Sequence, residues 1–360
     1  FFFGVMSSDD LKATTCISQI CATDDDPFVC ASFYQFVTLN ELSALQKLLK
    51  ECCTEHQLMG SIILANEGVN CQIAGHRTGV DAFMATVHQV PELAEVQPKI
   101  SFASTQPFYR MKVTVKEEIV KLGVATNACE KTGVLVKPEE WNALIRDPEV
   151  LVIDTRNDDE VVVGTFENAV NPNTSTFTEF PKYVDSLVGM EDKKIAMFCT
   201  GGIRCEKASA YMMERGFKHV HQLHGGVLKY FEEVPAEHSA WNGELFVFDA
   251  RVAVKHGPSG VENGTTKRCY SCRASLTPDD LQSPLYEEGH SCHHCHDKLT
   301  PEQVKARRER QAQIKLAQER NAIPTSHGHI GQWMRPAKKP KTAEREAQST
   351  EPAVAGGVQA

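Results

Sequence analysis

The residues best suited to chemistry include a cysteine followed closely by two glycines and an arginine. In the run Cys199-Thr200-Gly201-Gly202-Ile203-Arg204-Cys205, the first cysteine comes after a short apolar stretch, and a helix is predicted soon after it. A thiol between a strand and a helix faces the positive helix end and a ring of backbone N–H groups, and both favour the thiolate. The glycines let these N–H groups converge on the sulfur. We therefore predict that Cys199 is a nucleophile and that Arg204 supplies a fixed positive charge.

A second polar group follows another predicted buried strand. Asp154-Thr155-Arg156 comes directly after the apolar run Leu151-Val152-Ile153. The carboxyl ends of parallel strands meet at one edge of a sheet, so we expect Asp154 and Arg156 to lie near Cys199. A buried structural cysteine beside a tight turn is the alternative, and the combination with Gly and Arg favours the nucleophile.

Four further cysteines form two Cys-x-x-Cys pairs, Cys269 with Cys272 and Cys292 with Cys295. This spacing predicts a structural zinc site of four thiolates, without catalysis. Nearby histidines keep a site of three cysteines and one histidine open: His290, His293, His294 and His296. Disulfides are the weaker alternative, because the chain has no secretory signal and a reducing compartment is expected. We interpret the remaining cysteines as buried apolar side chains: Cys16, Cys21, Cys30, Cys52, Cys53, Cys71 and Cys129.

The amino-acid composition limits the classes of protein to which this chain can belong. The chain has 360 residues, 41% of them hydrophobic and 24% charged, with a net charge of -9. This balance is typical of globular domains and excludes a uniformly basic nucleic-acid binder. No apolar run approaches the roughly 18 residues that cross a bilayer, so we expect no membrane partner. We expect a cytoplasmic protein, but an organelle or the nucleus stays open because the chain begins with Phe and its N-terminus could be incomplete.

The order of predicted elements divides the chain into modules. A strand-helix-strand-strand-helix-strand order predicts an α+β ferredoxin-like domain, and alternating strands and helices then predict an α/β domain with a parallel sheet. The last predicted strand of the first domain covers Ile119 to Leu122, and a glycine-rich linker is predicted over 256–266. The predicted segments are a disordered lead-in (1–31), the ferredoxin-like domain (32–125), the parallel-sheet domain (134–255), the zinc module (267–298), a basic helix (299–335) and a disordered tail (336–360).

The cysteine loop, together with Asp154 and Arg156, resembles the active site of rhodanese-like domains. The resemblance implies that Cys199 carries a persulfide, that Arg204 and the loop amides hold the terminal sulfur or its anion, and that Asp154 and Arg156 brace the loop. Related phosphatases place five residues between Cys and Arg. Here four intervene, which argues for sulfur rather than phosphate.

Several sequence blocks in order make the resemblance more specific, over roughly residues 32–335. They are Ala65-Asn66-Glu67-Gly68-Val69-Asn70, Arg110-Met111-Lys112-Val113, the cysteine loop with Glu206-Lys207, Leu223-His224-Gly225-Gly226-Val227-Leu228 and Phe246-Val247-Phe248-Asp249-Ala250-Arg251-Val252. They resemble the tRNA uridine hydroxylase family, rhodanese-like proteins that hydroxylate the wobble uridine at C5 with molecular oxygen. The resemblance implies a tRNA substrate, with a sulfur-carrier or reductant protein as a further candidate partner. Cys205 belongs to the family loop, either as a resolving thiol or as a packing residue.

Residues for RNA contact are predicted on one strand and one helix. Alternation places Arg110, Lys112 and Lys116 on one strand face, where they could bind phosphates. Lys and Arg also outnumber Glu from Lys298 to Pro340, mostly on the predicted basic helix. For both the strand face and the helix, the alternative is that the charged side chains face solvent without binding RNA.

The residues do not show how oxygen would be activated. The sequence has neither the His-x-Asp or His-x-Glu pattern of a facial iron triad nor a Gly-x-Gly-x-x-Gly motif after a strand for flavin or nicotinamide. Zinc is therefore the one cofactor predicted. The function predicted first is that of a tRNA uridine hydroxylase. The second is a persulfide sulfurtransferase, and the third is an RNA-binding or redox-sensing module with a vestigial loop.

Overall fold

A computed structural model describes residues 28–258 and 260–319 of the chain. The described part up to Leu299 belongs to one compact unit, and the part from Thr300 belongs to a second. Within these residues, no helix combines the length and apolar character needed to cross a membrane. The predicted tail 336–360 and residues 1–27 of the predicted lead-in lie outside the described residues.

The N-terminal domain is a five-stranded sheet with two helices. The elements are β1 (Phe28–Phe36), α1 (Leu42–Glu55), β2 (Met59–Ala65), β3 (Gly68–Gly75), α2 (Arg77–His88), β4 (Lys99–Ala103) and β5 (Met111–Val115). The sheet order is β4-β1-β3-β2-β5, and all neighbours are antiparallel except β2 and β5. The first four strands reproduce the split βαβ arrangement, so the ferredoxin-like prediction is confirmed.

Apolar side chains at helical spacing explain how α1 and α2 pack on this sheet. Leu45 and Leu49 of α1 and Phe83 and Val87 of α2 are buried in one cluster with inward-facing strand residues. Four of the unassigned cysteines also fill the interior, namely Cys30, Cys52, Cys53 and Cys71. Cys129 is exposed, contrary to our interpretation, and Cys16 and Cys21 lie outside the described residues.

Two boundaries of this domain differ from the prediction. Strand β1 begins at Phe28, inside the segment assigned to the lead-in. Residues 119–122 form no strand, because side chains rather than a neighbouring strand take up their backbone N–H groups. Glu67 accepts a hydrogen bond from the N–H of Ile119 at 2.7 Å, and Glu118 accepts one from the N–H of Leu122 at 2.9 Å.

The second domain is built on a four-stranded parallel sheet. Its elements are β6 (Val134–Val136), α3 (Pro138–Ile145), β7 (Val150–Asp154), α4 (Asp158–Val161), β8 (Gly164–Phe166), α5 (Phe180–Asp185), β9 (Lys194–Phe198), α6 (Ile203–Glu214), β10 (His219–Leu223) and α7 (Gly226–Glu233). The sheet order is β6-β10-β9-β7. Along β9, Ile195 and Met197 face one apolar cluster while Ala196 and Phe198 face another. The sheet is covered on both sides, which confirms the predicted α/β class.

Short strands extend this domain and lead to the cysteine module. They are β11 (Trp241–Gly243), β12 (Leu245–Phe246), β13 (Ala253–Gly257), β14 (Gly260–Asn263), β15 (Lys267–Arg268) and β16 (Ser275–Leu276). Much of the predicted linker is therefore a hairpin, in which His256 stacks on Phe231 with 4.4 Å between ring centroids and bonds the Val234 carbonyl at 2.8 Å. In the second unit, helix α8 covers Pro301–Glu319.

Candidate active site

Cys199 is the first residue after β9, and its side chain is buried, with 1% of its surface exposed. The backbone N–H of Gly202 donates a hydrogen bond to its Sγ at 3.1 Å, and those of Arg204 and Cys205 donate as well. Burial alone would raise the pKa of this thiol. The hydrogen bond with the Cys205 thiol, the charge of Arg204 and these N–H groups outweigh burial and lower the pKa to about 5. Cys199 is thus ionised at neutral pH, while its role as a nucleophile stays a prediction.

Glycines allow the tight approach of chain segments around this loop. Gly202 adopts φ +98°, and a Cβ there would lie 2.7 Å from the hydroxyl of Tyr34. Gly226, at φ +69°, packs closely against the loop: a Cβ added to it would lie 2.6 Å from the Cys199 carbonyl oxygen. The N–H groups of Val227 and Leu228 donate to the carbonyls of Cys199 and Thr200, both at 3.0 Å. The Gly-Gly pair before α7 is therefore part of the wall that holds the loop.

Arg204 is held by a carboxylate that the sequence reasoning missed. Its two terminal nitrogens donate to the two carboxylate oxygens of Glu160 at 2.7 and 2.8 Å, and both side chains are buried. Glu160 is the last of three consecutive acidic residues at the start of α4, and no motif in the sequence distinguishes it from the other two. The guanidinium is thus fixed in place and acts on Cys199 through its charge. Arg204 was expected to hold the terminal sulfur or its anion. Its two terminal nitrogens already bind Glu160, so a bound anion would share them with that carboxylate.

Asp154 and Arg156 form a buried ion pair beside the segment that carries Glu160. Their side chains meet at 2.6 and 2.9 Å, and Arg156 also donates to the carbonyl of Gly164 at 2.6 Å and to that of Glu160 at 3.4 Å. The guanidinium lies over the ring of Trp241 at 4.9 Å. These contacts fix the segment that carries Glu160. The same guanidinium lies 5.8 Å from the ring centroid of Phe198, the residue directly before Cys199.

The second cysteine of the loop is fully buried behind the first. Its Sγ lies 3.6 Å from the hydroxyl of Thr155, and Thr155 itself bonds the Phe198 carbonyl. Burial, together with the neighbouring Cys199 thiolate, raises the pKa of Cys205 well above its ordinary value. Cys205 therefore keeps its proton and can donate it in a hydrogen bond to Cys199. This arrangement suits a hydrogen-bond donor at least as well as a resolving thiol.

The N-terminal domain supplies side chains to the cysteine loop, which the sequence reasoning did not foresee. Lys99 of β4 donates to the carbonyl of Gly201 at 2.5 Å, and Tyr34 of β1 donates to Glu206 of α6 at 3.2 Å. The buried Lys207 of α6 bonds Glu67 at 2.8 Å and Glu118 at 2.6 Å. The sequence blocks around Glu67 and the cysteine loop thus meet at the interface between the two domains.

Comparison with known proteins agrees with this architecture. Residues 28–119 match the family described as UPF0176 acylphosphatase like domain, and residues 137–233 match the rhodanese-like domain. A tRNA uridine(34) hydroxylase of Rhizobium leguminosarum bv. trifolii (strain WSM2304) is 48% identical over 311 residues, which span 86% of this chain and 98% of that protein. The chain belongs to the tRNA uridine(34) hydroxylase family.

Solved structures similar to this family member include rhodanese-like domains. The solution structure of one from Anabaena sp has 17% sequence identity and a TM-score of 0.25, covering 30% of this chain and 78% of that one. The polysulfide-sulfur transferase of Wolinella succinogenes has 25% identity and a TM-score of 0.23, covering 28% of this chain and 74% of that one.

The residues predicted for RNA contact lie away from the loop of this family member. Arg110, Lys112 and Lys116 are exposed on or beside β5, which forms the edge of the sheet opposite β4 and Lys99. Nearer the loop, the Phe248 side chain is 52% exposed, and the guanidinium of Arg204 lies 5.8 Å from its ring centroid. No local pattern distinguishes Phe248 from its neighbours, because its exposure follows from tertiary placement.

A cavity of about 580 Å³ lies at the start of α7, beside the Gly225–Gly226 pair, and its lining residues come from outside the cysteine loop. His224, which directly precedes the Gly-Gly pair, lines it together with Lys137, Lys229, Glu139 and Glu233. Cavities of this size accept small ligands or a single extruded nucleotide. The lining carries two lysines and two glutamates, and the Lys229 ammonium lies 3.4 Å from the carboxylate of Glu233.

The four predicted metal ligands come together in the cysteine module. The sulfur atoms of Cys269, Cys272, Cys292 and Cys295 all lie within 4.8 Å of one another. Three of the pairs are 3.6, 3.9 and 3.9 Å apart. A tetrahedron with metal–sulfur bonds of about 2.3 Å has sulfur atoms about 3.8 Å apart. The cluster could therefore hold a metal ion through four thiolates.

Proposed function

We propose that this protein hydroxylates the wobble uridine of tRNA at C5 and that Cys199 is essential for the reaction. The observation that carries the proposal is the 48% identity to a tRNA uridine(34) hydroxylase along nearly all of that relative's length. The ionised Cys199 at the end of β9 supports a cysteine-based site, as its rhodanese-like domain would require. Arg204, in its pair with Glu160, would keep the thiolate charged throughout the reaction.

A nucleotide of the tRNA could enter the cavity at the start of α7. A uridine inside a structured anticodon loop reaches a buried thiolate only when it is unstacked and extruded. The exposed ring of Phe248 could stack on such a base, and Lys137 could pair with a flanking phosphate, whereas Lys229 already lies 3.4 Å from the carboxylate of Glu233. Arg110, Lys112 and Lys116 remain proposed contacts for more distant phosphates, as do the basic residues of α8 from Lys305 to Lys315.

The proposal is tested with purified protein and tRNA that lacks the modification. Under ¹⁸O₂, mass spectrometry of the digested nucleosides should show 5-hydroxyuridine, and the labelled oxygen decides whether O₂ supplies the hydroxyl group. Cys199→Ser, which matches the side chain in shape, should make none of the product. Insertion of one oxygen atom of O₂ reduces the other to water and consumes two electrons, so every reaction contains a reductant, either a small dithiol or the native cell extract. A Cys199→Ser protein as active as the wild type would overturn the proposed role of Cys199.

The second candidate is a persulfide sulfurtransferase. A ring of N–H donors around a thiolate also suits the terminal sulfur of a persulfide, and the loop is one residue shorter than the phosphatase pattern. This function predicts thiosulfate:cyanide activity and a loss of thiolated nucleosides in a deletion strain, whereas the hydroxylase predicts a loss of 5-hydroxyuridine derivatives. If Cys199→Ala leaves both nucleoside pools and the sulfurtransferase activity unchanged, the protein is an RNA-binding or redox-sensing module instead.

We propose that the metal in the cysteine module is zinc and that its role is structural. Four thiolates at tetrahedral spacing are the usual donor set for structural zinc, and they leave no coordination position open for a substrate. His290 and His293 lie outside this set: the first contacts Ser291 at 3.1 Å and the second Asp280 at 3.8 Å. The distances thus support four cysteines over three cysteines and a histidine. Zinc would hold β15 and β16 against the second Cys-x-x-Cys turn.

A further inference from the structure

Lys99 donates a hydrogen bond to a backbone carbonyl of the cysteine loop. The Nζ atom donates to the oxygen of Gly201 at 2.5 Å. The same peptide unit carries the N–H of Gly202, which donates to the sulfur of Cys199 at 3.1 Å. In a trans peptide the C=O and N–H bonds point in opposite directions. A cation that fixes the carbonyl on one side therefore fixes the N–H toward the sulfur on the other.

This peptide unit needs outside support. Gly202 has φ +98°, and a glycine pair is the most conformationally free dipeptide in the chain, so the unit can turn over at little steric cost. If it turned over, a carbonyl oxygen would face the thiolate in place of an N–H. That exchange would replace a stabilising hydrogen bond with a repulsion between two partial negative charges.

Lys99 is itself held in position by the sheet of the N-terminal domain. It pairs across β4 and β1 with Ser32, and Tyr34 lies diagonally opposite on the same face. The ammonium lies 5.5 Å from the centroid of the Tyr34 ring, and a Cβ on Gly202 would lie 2.7 Å from the Tyr34 hydroxyl. Two residues from a different domain thus approach the glycine pair closely.

We propose that Lys99 is a positioning residue of the active site, which holds the Gly201–Gly202 peptide with its N–H directed at the Cys199 sulfur. The inference rests on the proposed role of Cys199 as a thiolate. It implies that the active site is shared between the two domains, because the residue that sets the loop belongs to the N-terminal one. A rhodanese-like domain that lacks this neighbour would have to fix the loop in another way.

The test is a pH titration of the Cys199 thiolate by its absorbance at 240 nm, with the matching Cys199→Ser protein subtracted. In Lys99→Met the midpoint should rise by about one pH unit, because a hydrogen bond and a nearby positive charge are lost together. Lys99→Arg should restore a midpoint close to the wild-type value. Lys47→Met, which removes an exposed lysine from α1 of the same domain, should leave the midpoint unchanged.

Peptide orientation is measured separately through the Gly202 amide resonance in protein labelled with ¹⁵N-glycine. It should move in Lys99→Met and stay in place in Lys47→Met. An unchanged midpoint in Lys99→Met would overturn the proposal, and so would a raised midpoint with an unmoved Gly202 amide, because Lys99 would then act through charge alone. If circular dichroism shows that Lys99→Met is unfolded, Lys99→Gln takes its place with the same two readouts. None of these measurements involves tRNA, so their result is independent of the hydroxylation assay.

Discussion

Replacement of Lys207 by Met should weaken the protein where its two domains meet. The Lys207 side chain is 2% exposed, and its Nζ lies 2.8 Å from a carboxylate oxygen of Glu67 and 2.6 Å from one of Glu118. Removing one partner of a buried ion pair costs about 3–5 kcal/mol. The two carboxylates are about a fifth exposed and can be partly rehydrated, so we expect a loss of about 2–3 kcal/mol in the free energy of unfolding.

The pH dependence of this loss has a definite sign. Although burial acts in the opposite direction, the hydrogen bond from Lys207 and those from two backbone N–H groups lower the pKa of Glu118. A carboxyl group with a lowered folded-state pKa stabilises the protein above its unfolded pKa of about 4.3, and this stabilisation is lost as the pH falls through the folded value. The difference between wild type and Lys207→Met should therefore be constant from pH 8 to about 5 and shrink at lower pH.

Urea denaturation at several pH values measures this difference. Lys218→Met is the matched control, because Lys218 also meets a carboxylate at 2.6 Å, that of Asp192, but both side chains are largely exposed. We expect the control to unfold close to the wild-type midpoint. A Lys207→Met protein as stable as wild type at pH 7, or a difference that stays the same at pH 3.5, would refute the assigned role of this ion pair.

Three further predictions concern the loop and the cysteine module. Cys205→Ala should raise the pKa of Cys199 by removing a hydrogen-bond donor, whereas Cys205→Ser should keep it low; equal titration midpoints in the two variants would contradict the donor role. Gly226→Ala should cost more than about 2 kcal/mol of stability and most of the activity, because its Cβ would lie 2.6 Å from the Cys199 carbonyl oxygen; thermal unfolding and nucleoside analysis measure both. Cys292→Ser should abolish stoichiometric zinc, measured by mass spectrometry of the metal, and lower the melting temperature; full zinc content in this variant would argue against the four-cysteine site.

Local sequence signals predicted the secondary structure and the metal cluster well. Alternation and helical spacing report on faces that are buried within one domain, which is why the ferredoxin-like order and the parallel sheet could be read from them. The two Cys-x-x-Cys pairs carry their geometry in their spacing. Strand edges were less predictable: Phe28 begins β1 inside a segment whose acidic neighbours suggested disorder.

Contacts between distant segments could not be predicted in the same way. Lys99 lies 102 positions from Gly201, and Glu160 lies 44 positions from Arg204, so no local pattern links either pair. The segment around Ile119 has strand-like residues, yet the carboxylate of Glu67 takes up its backbone N–H. In each case a tertiary contact decides what the residue does, and its type alone is compatible with several roles.

The most direct test of this account is the titration of Cys199 in the wild-type protein. The structure predicts that the difference in absorbance at 240 nm between wild type and Cys199→Ser appears with a midpoint at about pH 5. A midpoint at about 8.5, the value of an ordinary free cysteine, would show that the loop does not stabilise a thiolate and would contradict the proposed active site.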